Sequence, residues 1–196
     1  MVAKPSARVT VEALDAFDDD EHVEVIDGQL VRDAAPTFEH SDAQLSVGAE
    51  VKSRFGGRGP DGSGGWWLGT EVTVIYAPDQ GFVHDVAGWR KERVPKRPAG
   101  PRVAVRPDWV CEILSTNKRK DLVQKRAALH AHGVPHYWIV DLVAGRLTVL
   151  RWHAEGYLVA AEALPGERAR LEPFDAVELE VSRLFGDTEE GPAGPV

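Results

Sequence analysis

Apolar and polar positions change their period several times along the chain, and each change marks an element. Thr10 can cap a short helix over residues 10–17, after which the acidic run 18–21 breaks the pattern. Residues 23–26 and 29–31 flank Asp27-Gly28, a pair that supplies the positive backbone angles of a tight hairpin turn. Pro36 then opens a segment in which Phe38, Leu45, Val47, Val51 and Phe55 suit an amphipathic helix ending near Arg54, followed by a loop over 56–65.

From Trp66 onward the period shortens to two. Trp66, Leu68, Val72, Val74 and Tyr76 share one parity and predict a strand with one buried face. A turn at 78–81 leads to an antiparallel strand over 82–89, and the Pro-rich basic stretch 90–107 suits neither helix nor strand. Residues 109–114 form a continuous apolar run interrupted by Glu112, as in a central strand covered on both faces. A helix over 118–132 stops at Gly133, and strand-like segments follow at 137–140, 146–152 and 157–161. An apolar tail occupies 177–185. The expected organisation is one domain over residues 10–186, with a flexible start at 1–9 and a disordered Gly/Pro/Glu tail at 187–196.

Composition narrows the picture. A chain of 196 residues that is 43% hydrophobic can bury one substantial core. It contains neither the run of about 18 apolar residues of a membrane span nor the apolar segment of a signal peptide, so the expectation is a soluble cytoplasmic protein. With Cys111 alone there is no intramolecular disulfide. The net charge of −8 argues against a nonspecific nucleic-acid coat. Its distribution is uneven, because Arg90, Lys91, Arg93, Lys96, Arg97, Arg102 and Arg106 are interrupted by Glu92 alone. They make either a local basic rim or an ordinary solvated loop.

Three carboxylates occupy positions that ought to be apolar. Glu112 lies among Trp109, Val110, Cys111, Ile113 and Leu114; Asp85 lies among Phe82, Val83, Val86 and Ala87; Glu24 lies between Val23 and Val25. An ionised carboxylate in an apolar strand is costly unless a cation compensates it. Acids aimed from adjacent strands into one cleft would suit magnesium or manganese, while each acid alone is equally consistent with a buried carboxylate held by arginine or backbone amides. Lys125 falls three residues after Leu122 and four before Leu129, at the edge of a buried helical stripe, where it either enters the cleft or pairs with Asp121 on the surface.

These residues carry a resemblance. Glu24-Val25-Ile26-Asp27-Gly28-Gln29-Leu30, Asp85 on its strand, the stretch 107–115 around Glu112, residues 121–126, and Gly133-Val134-Pro135-His136-Tyr137-Trp138-Ile139-Val140-Asp141 together resemble the bacterial Uma-two group, classed with restriction endonucleases of the PD-(D/E)XK nuclease superfamily. The resemblance spans about residues 10–184, and 107–141 is its specific part. It implies an α/β, restriction-endonuclease-like fold, a mixed β-sheet flanked by α-helices with the site where the central strands diverge. Asp85 matches the strand aspartate, Glu112 the acid of the next strand, and Glu24 the glutamate before the Asp-Gly turn. The superfamily lysine usually stands two residues after the acid, a position held here by Leu114, so Lys125 resembles variants whose lysine has moved to the following helix. His84 stands where the group usually has proline and either modulates the site or packs. His40 matches a polar position near the cleft.

The expected chemistry is hydrolysis of phosphodiester bonds in DNA by a Mg2+- or Mn2+-dependent endonuclease. Asp85, Glu112 and the Ile113 backbone carbonyl hold one or two ions, Glu24 assists directly or through water, and Lys125 orients the attacking water or stabilises the transition state. Asp108 either caps its loop or joins the metal, and Ser115, Thr116 and Asn117 read as helix caps before phosphate donors. His130, His132 and His136 do not share a helical face, which disfavours zinc. Homodimerisation follows from the resemblance. Two readings stand beside the nuclease: a catalytically silent nuclease-like fold serving as a nucleic-acid-binding or protein-interaction module, and a metal-dependent hydrolase of another phosphate ester.

Overall fold

The Asp-Gly turn forms as its chemistry requires, with Asp27 at φ 50° and Gly28 at φ 74° joining strand β1 (Val23–Ile26) to β2 (Gln29–Arg32). The structure is a computed structural model that describes residues 8–17, 21–32, 35–57, 65–114 and 119–186, with backbone alone for 119–122. The expectations placed on 1–7, 18–20, 58–64, 115–118 and 187–196 fall outside the described residues, among them most of the expected loop at 56–65 and the capping roles of Ser115, Thr116 and Asn117.

Helix α1 (Phe38–Phe55) starts at Thr37, whose side chain accepts from the His40 amide at 3.3 Å. Its buried stripe is His40, Ala43, Gln44, Val47, Val51 and Phe55, whereas Phe38 and Leu45 face solvent. The expected stripe was therefore displaced at its start, because polar His40 and Gln44 are drawn inward by buried hydrogen-bond partners. The segment after Thr10 is a 3-10 helix over Val11–Ala16 with no side-chain cap from Thr10.

Two long strands follow, β3 (Trp66–Ala77) and β4 (Gln80–Arg90), and then β5 (Arg102–Val103), a short strand inside the basic stretch that had been expected to hold none. Next come β6 (Trp109–Leu114), helix α2 (Arg119–Ala131), β7 (His136–Asp141), β8 (Arg146–Arg151), β9 (Leu158–Ala163), β10 (Arg168–Ala169) and β11 (Leu179–Glu180). Among the described residues the main sheet has nine strands, in the order β2-β1-β4-β6-β7-β8-β9, with β3 on the far edge of β4 and β5 on β3. It is mixed: β6–β7 and β3–β5 run parallel, and α2 makes the β6–β7 crossover.

All six residues of β6 are buried, and alternation divides them between two layers. Trp109, Cys111 and Ile113 join Ala43, Val47, Val51 and Phe55 of α1 and the covering residues Leu171, Phe174, Leu179 and Val181. Val110 packs instead with Leu129 of α2, Tyr137 and Leu150. Glu112 shares the parity of Val110 and so belongs to the α2 side. Trp109, Trp138 and Phe174 meet edge to face in the α1 layer, so these two tryptophans are core. No helix among the described residues is long and apolar enough to cross a membrane.

The β3–β4 ladder departs from the expected parity. Trp66 and Leu68 pack in the α1 layer, but Val72, Val74 and Tyr76 join Ala87 and Trp89 in another cluster. The switch lies at Glu71, whose φ is 50°, and the ladder passes from Thr70↔Val86 to Val72↔His84 without bridging Glu71 to Asp85. A methyl group added at Gly69 would meet Val72 Cγ2 at 2.8 Å, although residues three apart in a regular strand point to opposite faces. One left-handed residue has turned the rest of the strand over.

Candidate active site

Strand β4 shares one edge between two neighbours. Near its start it pairs with β1 at Gly81↔Val25, and near its end it pairs with β6 at Val86↔Cys111, Ala87↔Val110 and Gly88↔Trp109. Between those pairings β4 has no ladder partner on that edge among the described residues, and its backbone groups need others. Side chains supply them. The Val83 amide donates to Glu24 Oε1 at 2.8 Å, the Val83 carbonyl accepts from Lys125 Nζ at 2.7 Å, and the Asp85 carbonyl accepts from Gln44 Nε2 at 2.9 Å. The Ile113 amide donates to Asp85 Oδ2 at 2.6 Å.

Three of the expected site residues, Glu24, Glu112 and Lys125, meet at this gap. Lys125 Nζ lies 2.9 Å from Glu24 Oε1 and 3.1 Å from Glu112 Oε2, with all three side chains almost fully enclosed. Burial lowers the Lys125 pKa, but Glu112, Glu24 and Asp85 outweigh it and raise the pKa well above the ordinary lysine value. Lys125 is therefore a cation at neutral pH and reaches the cleft rather than the surface.

Asp85 enters from a different direction. Its Oδ1 lies 3.1 Å from His40 Nε2 on α1, and its Oδ2 takes the Ile113 amide. The side-chain alternation of β4 breaks at this point, opposite Glu71. In an uninterrupted strand Asp85 would share the face of Ala87 and His84 that of Val86; here His84 stands on the α2 side with Glu112. His84 Nδ1 is 2.7 Å from Glu112 Oε1, and Nε2 is 2.8 Å from the Tyr76 hydroxyl. Burial, reinforced by the Lys125 charge, lowers the His84 pKa to about 3. The ring is neutral.

The other candidates go elsewhere. Asp108 accepts from the Arg90 amide at 2.8 Å and from Arg93 Nε at 2.6 Å, the work of a loop cap. The basic stretch is largely engaged: Arg102 pairs with Asp15, Arg90 lies over Trp66, and Lys91 lies over Trp67. His130 meets the His153 carbonyl, His132 meets Gln80, and His136 lies near Glu172, so the three do not converge. Cys111 is buried, and its thiol pKa is raised by that burial.

Asp85 and Glu112 are hard oxygen donors of the kind a divalent cation prefers, although Asp85 turns to His40 on the α1 side and Glu112 to Lys125 and His84 on the α2 side. Among the described residues no three His, Cys, Asp or Glu side chains are grouped to hold a metal. Two carboxylates suffice for Mg2+, which keeps several waters and completes its shell with substrate phosphate.

A match to the Uma2 family, described as "Putative restriction endonuclease", runs over residues 9–182. The chain belongs to the Uma2 family. This Uma2 chain is also similar to the crystal structure of "a putative nuclease belonging to DUF820" from Anabaena variabilis, with a TM-score of 0.71, 19% identity, and coverage of 90% of this chain and 97% of that one. At that identity the likeness establishes the shared fold, which is restriction-endonuclease-like. No curated protein matches the chain.

Sequence reading of this Uma2 protein missed Gln44 and Tyr76 as parts of the site, and it left His84 open between modulating and packing. Gln44 could have been noticed as a polar residue one turn after His40 on the same helical face. Tyr76 carried no signal, because it looks like one more apolar position in a strand.

Proposed function

We propose that this Uma2 protein is a Mg2+- or Mn2+-dependent endonuclease that hydrolyses phosphodiester bonds in DNA at the gap between β4 and β6. The observation that supports the reading is the meeting of Glu112, Glu24 and Lys125 where two central strands part, with Asp85 bonded to the Ile113 amide next to Glu112 in the chain. Asp85, Glu112 and the Ile113 carbonyl would hold the cation, with Glu24 next to them. Bound there, a divalent cation neutralises charge on the phosphate and lowers the pKa of a water. Lys125 holds its proton and so acts by charge, steadying the developing negative charge on the phosphate, rather than as a base. Glu24 keeps that ammonium in place through its 2.9 Å contact. In this reading the protein acts as a homodimer in the cytoplasm, since two symmetric copies present two sites to the two strands of a duplex.

Calorimetry with Mn2+ and a cleavage assay on single-stranded, duplex and branched DNA test the proposal. Wild type is expected to take up the ion and cut, and Glu112→Gln to do neither; a wild type that binds no ion and cuts no DNA overturns it. Light scattering measures the dimer.

One observation favours a second reading, a catalytically silent module of the same fold. Both Glu112 oxygens and both Asp85 oxygens already have protein partners, and the side chains at the gap satisfy strand backbone. Under that reading the cluster holds the sheet together without metal, and Mn2+ leaves the thermal midpoint unchanged.

A further inference from the structure

His84 is completely buried, and each of its ring nitrogens has one partner: Glu112 for Nδ1 and Tyr76 for Nε2. The direction of both bonds follows from chemistry. Glu112 is the carboxylate partner of the Lys125 ammonium and can only accept, so His84 Nδ1 carries the proton. The remaining nitrogen of a neutral imidazole accepts, so the Tyr76 hydroxyl donates. Burial raises the Tyr76 pKa well above the ordinary phenol value, which keeps that donor protonated. The two bonds leave Glu112 Oε2 to Lys125 and fix Oε1 from the opposite direction.

We propose that Tyr76 and His84 are positioning residues for Glu112: the phenol locks the imidazole, and the imidazole Nδ1–H holds the carboxylate in the orientation that the site uses. The arrangement matches the way outer partners orient ligating side chains in metal sites. His84 stands beside Glu112 where the β4 alternation breaks, next to the unbridged Glu71 position of β3. The catalytic meaning of the relay rests on the nuclease reading, but the hydrogen-bond geometry does not.

The test has two arms. Nitrogen-15 spectra of the imidazoles, without metal, are expected to show His84 as the Nδ1–H tautomer with a proton shifted far downfield; an Nε2–H tautomer overturns the proposal. Mn2+ affinity is then measured for His84→Asn, which retains a donor near the Nδ1 position, and His84→Leu, which fills the space without one. Positioning predicts that Asn stays near wild type and that Leu loses about 10-fold to 100-fold. Packing alone predicts the reverse order, because Asn leaves the larger void, and equal or reversed affinities overturn the proposal. Tyr76→Phe, nearly isosteric, is expected to weaken Mn2+ binding several-fold, and an unchanged affinity counts against the phenol. If wild type takes up no Mn2+ and cuts no DNA, the nuclease reading fails, and the tautomer alone decides whether His84 orients Glu112.

Discussion

The Ile113 amide and Asp85 Oδ2 are 2.6 Å apart, across the point where β4 and β6 have stopped pairing. A side chain there does what the next rung of the ladder would otherwise do, and it brings a negative charge with it. Removing Asp85 therefore has two separable consequences. Asp85→Ala leaves a buried amide unpaired and is expected to cost about 1–3 kcal/mol in urea unfolding. Asp85→Asn retains an acceptor for Ile113 and is expected to cost less, while both variants lose Mn2+ uptake by calorimetry. Equal stability losses would show that the amide bond is not what Asp85 contributes.

Lys125 separates Glu24 from Glu112. Lys125→Met leaves two buried carboxylates facing each other and an unmet Val83 carbonyl, an expected loss of about 3–5 kcal/mol. Adding Glu24→Gln to Lys125→Met should recover part of that loss, since one of the facing charges is gone. Chemical denaturation of the two variants and wild type measures both effects.

His84 predicts a pH dependence of stability. Its pKa falls from the model-peptide value near 6.5 to about 3 on folding, so between those limits the unfolded chain binds a proton that the fold refuses. Stability therefore decreases as pH drops below about 6.5, with a slope of about 1.4 kcal/mol per pH unit from this group at full effect. His136, lowered to about 4 by burial and the nearby Arg90 and Arg151 charges, adds to the same slope. Between pH 5 and 6.5, before most carboxylates titrate, His84→Asn is expected to flatten the urea-derived profile by roughly half.

Glu71 holds a left-handed backbone at φ 50°, stabilised by Gln44 Nε2 donating to Oε1 and by His22 near Oε2. Glu71→Gly relaxes the backbone while losing those contacts, and it is expected to stay within about 1 kcal/mol of wild type. Glu71→Val, β-branched and suited to a regular strand, is expected to cost about 1–2 kcal/mol or more and to disturb the His84 ring resonances. A valine variant as stable as wild type would mean that the switch needs no left-handed residue.

Much of this architecture was legible beforehand. The Asp27-Gly28 hairpin, the apolar run 109–114 and the stop at Gly133 rest on local backbone chemistry, and each formed with boundaries close to those expected. Phe38 and Leu45 misled, because an apolar residue near a helix start can face water when histidine and glutamine on the same helix have buried partners. The shared parity of Trp66, Leu68, Val72, Val74 and Tyr76 predicts one face, whereas the strand divides them between two, with the change at Glu71.

Residue identity alone determined that acids sit within three apolar strands and that a lysine borders the next buried helical stripe, because strand and helix periods are written in the order of the side chains. Only the tertiary structure decided how they meet: β1 and β6 share one edge of β4, the uncovered backbone between them recruits Glu24, Lys125 and Gln44, and a break in alternation opposite the left-handed Glu71 leaves His84 rather than Asp85 on the face of Glu112. The physical reason is that side-chain direction in a strand follows a count of two. One residue of altered backbone resets that count, and the contacts that hold it in that state come from His22 and Gln44, remote in sequence.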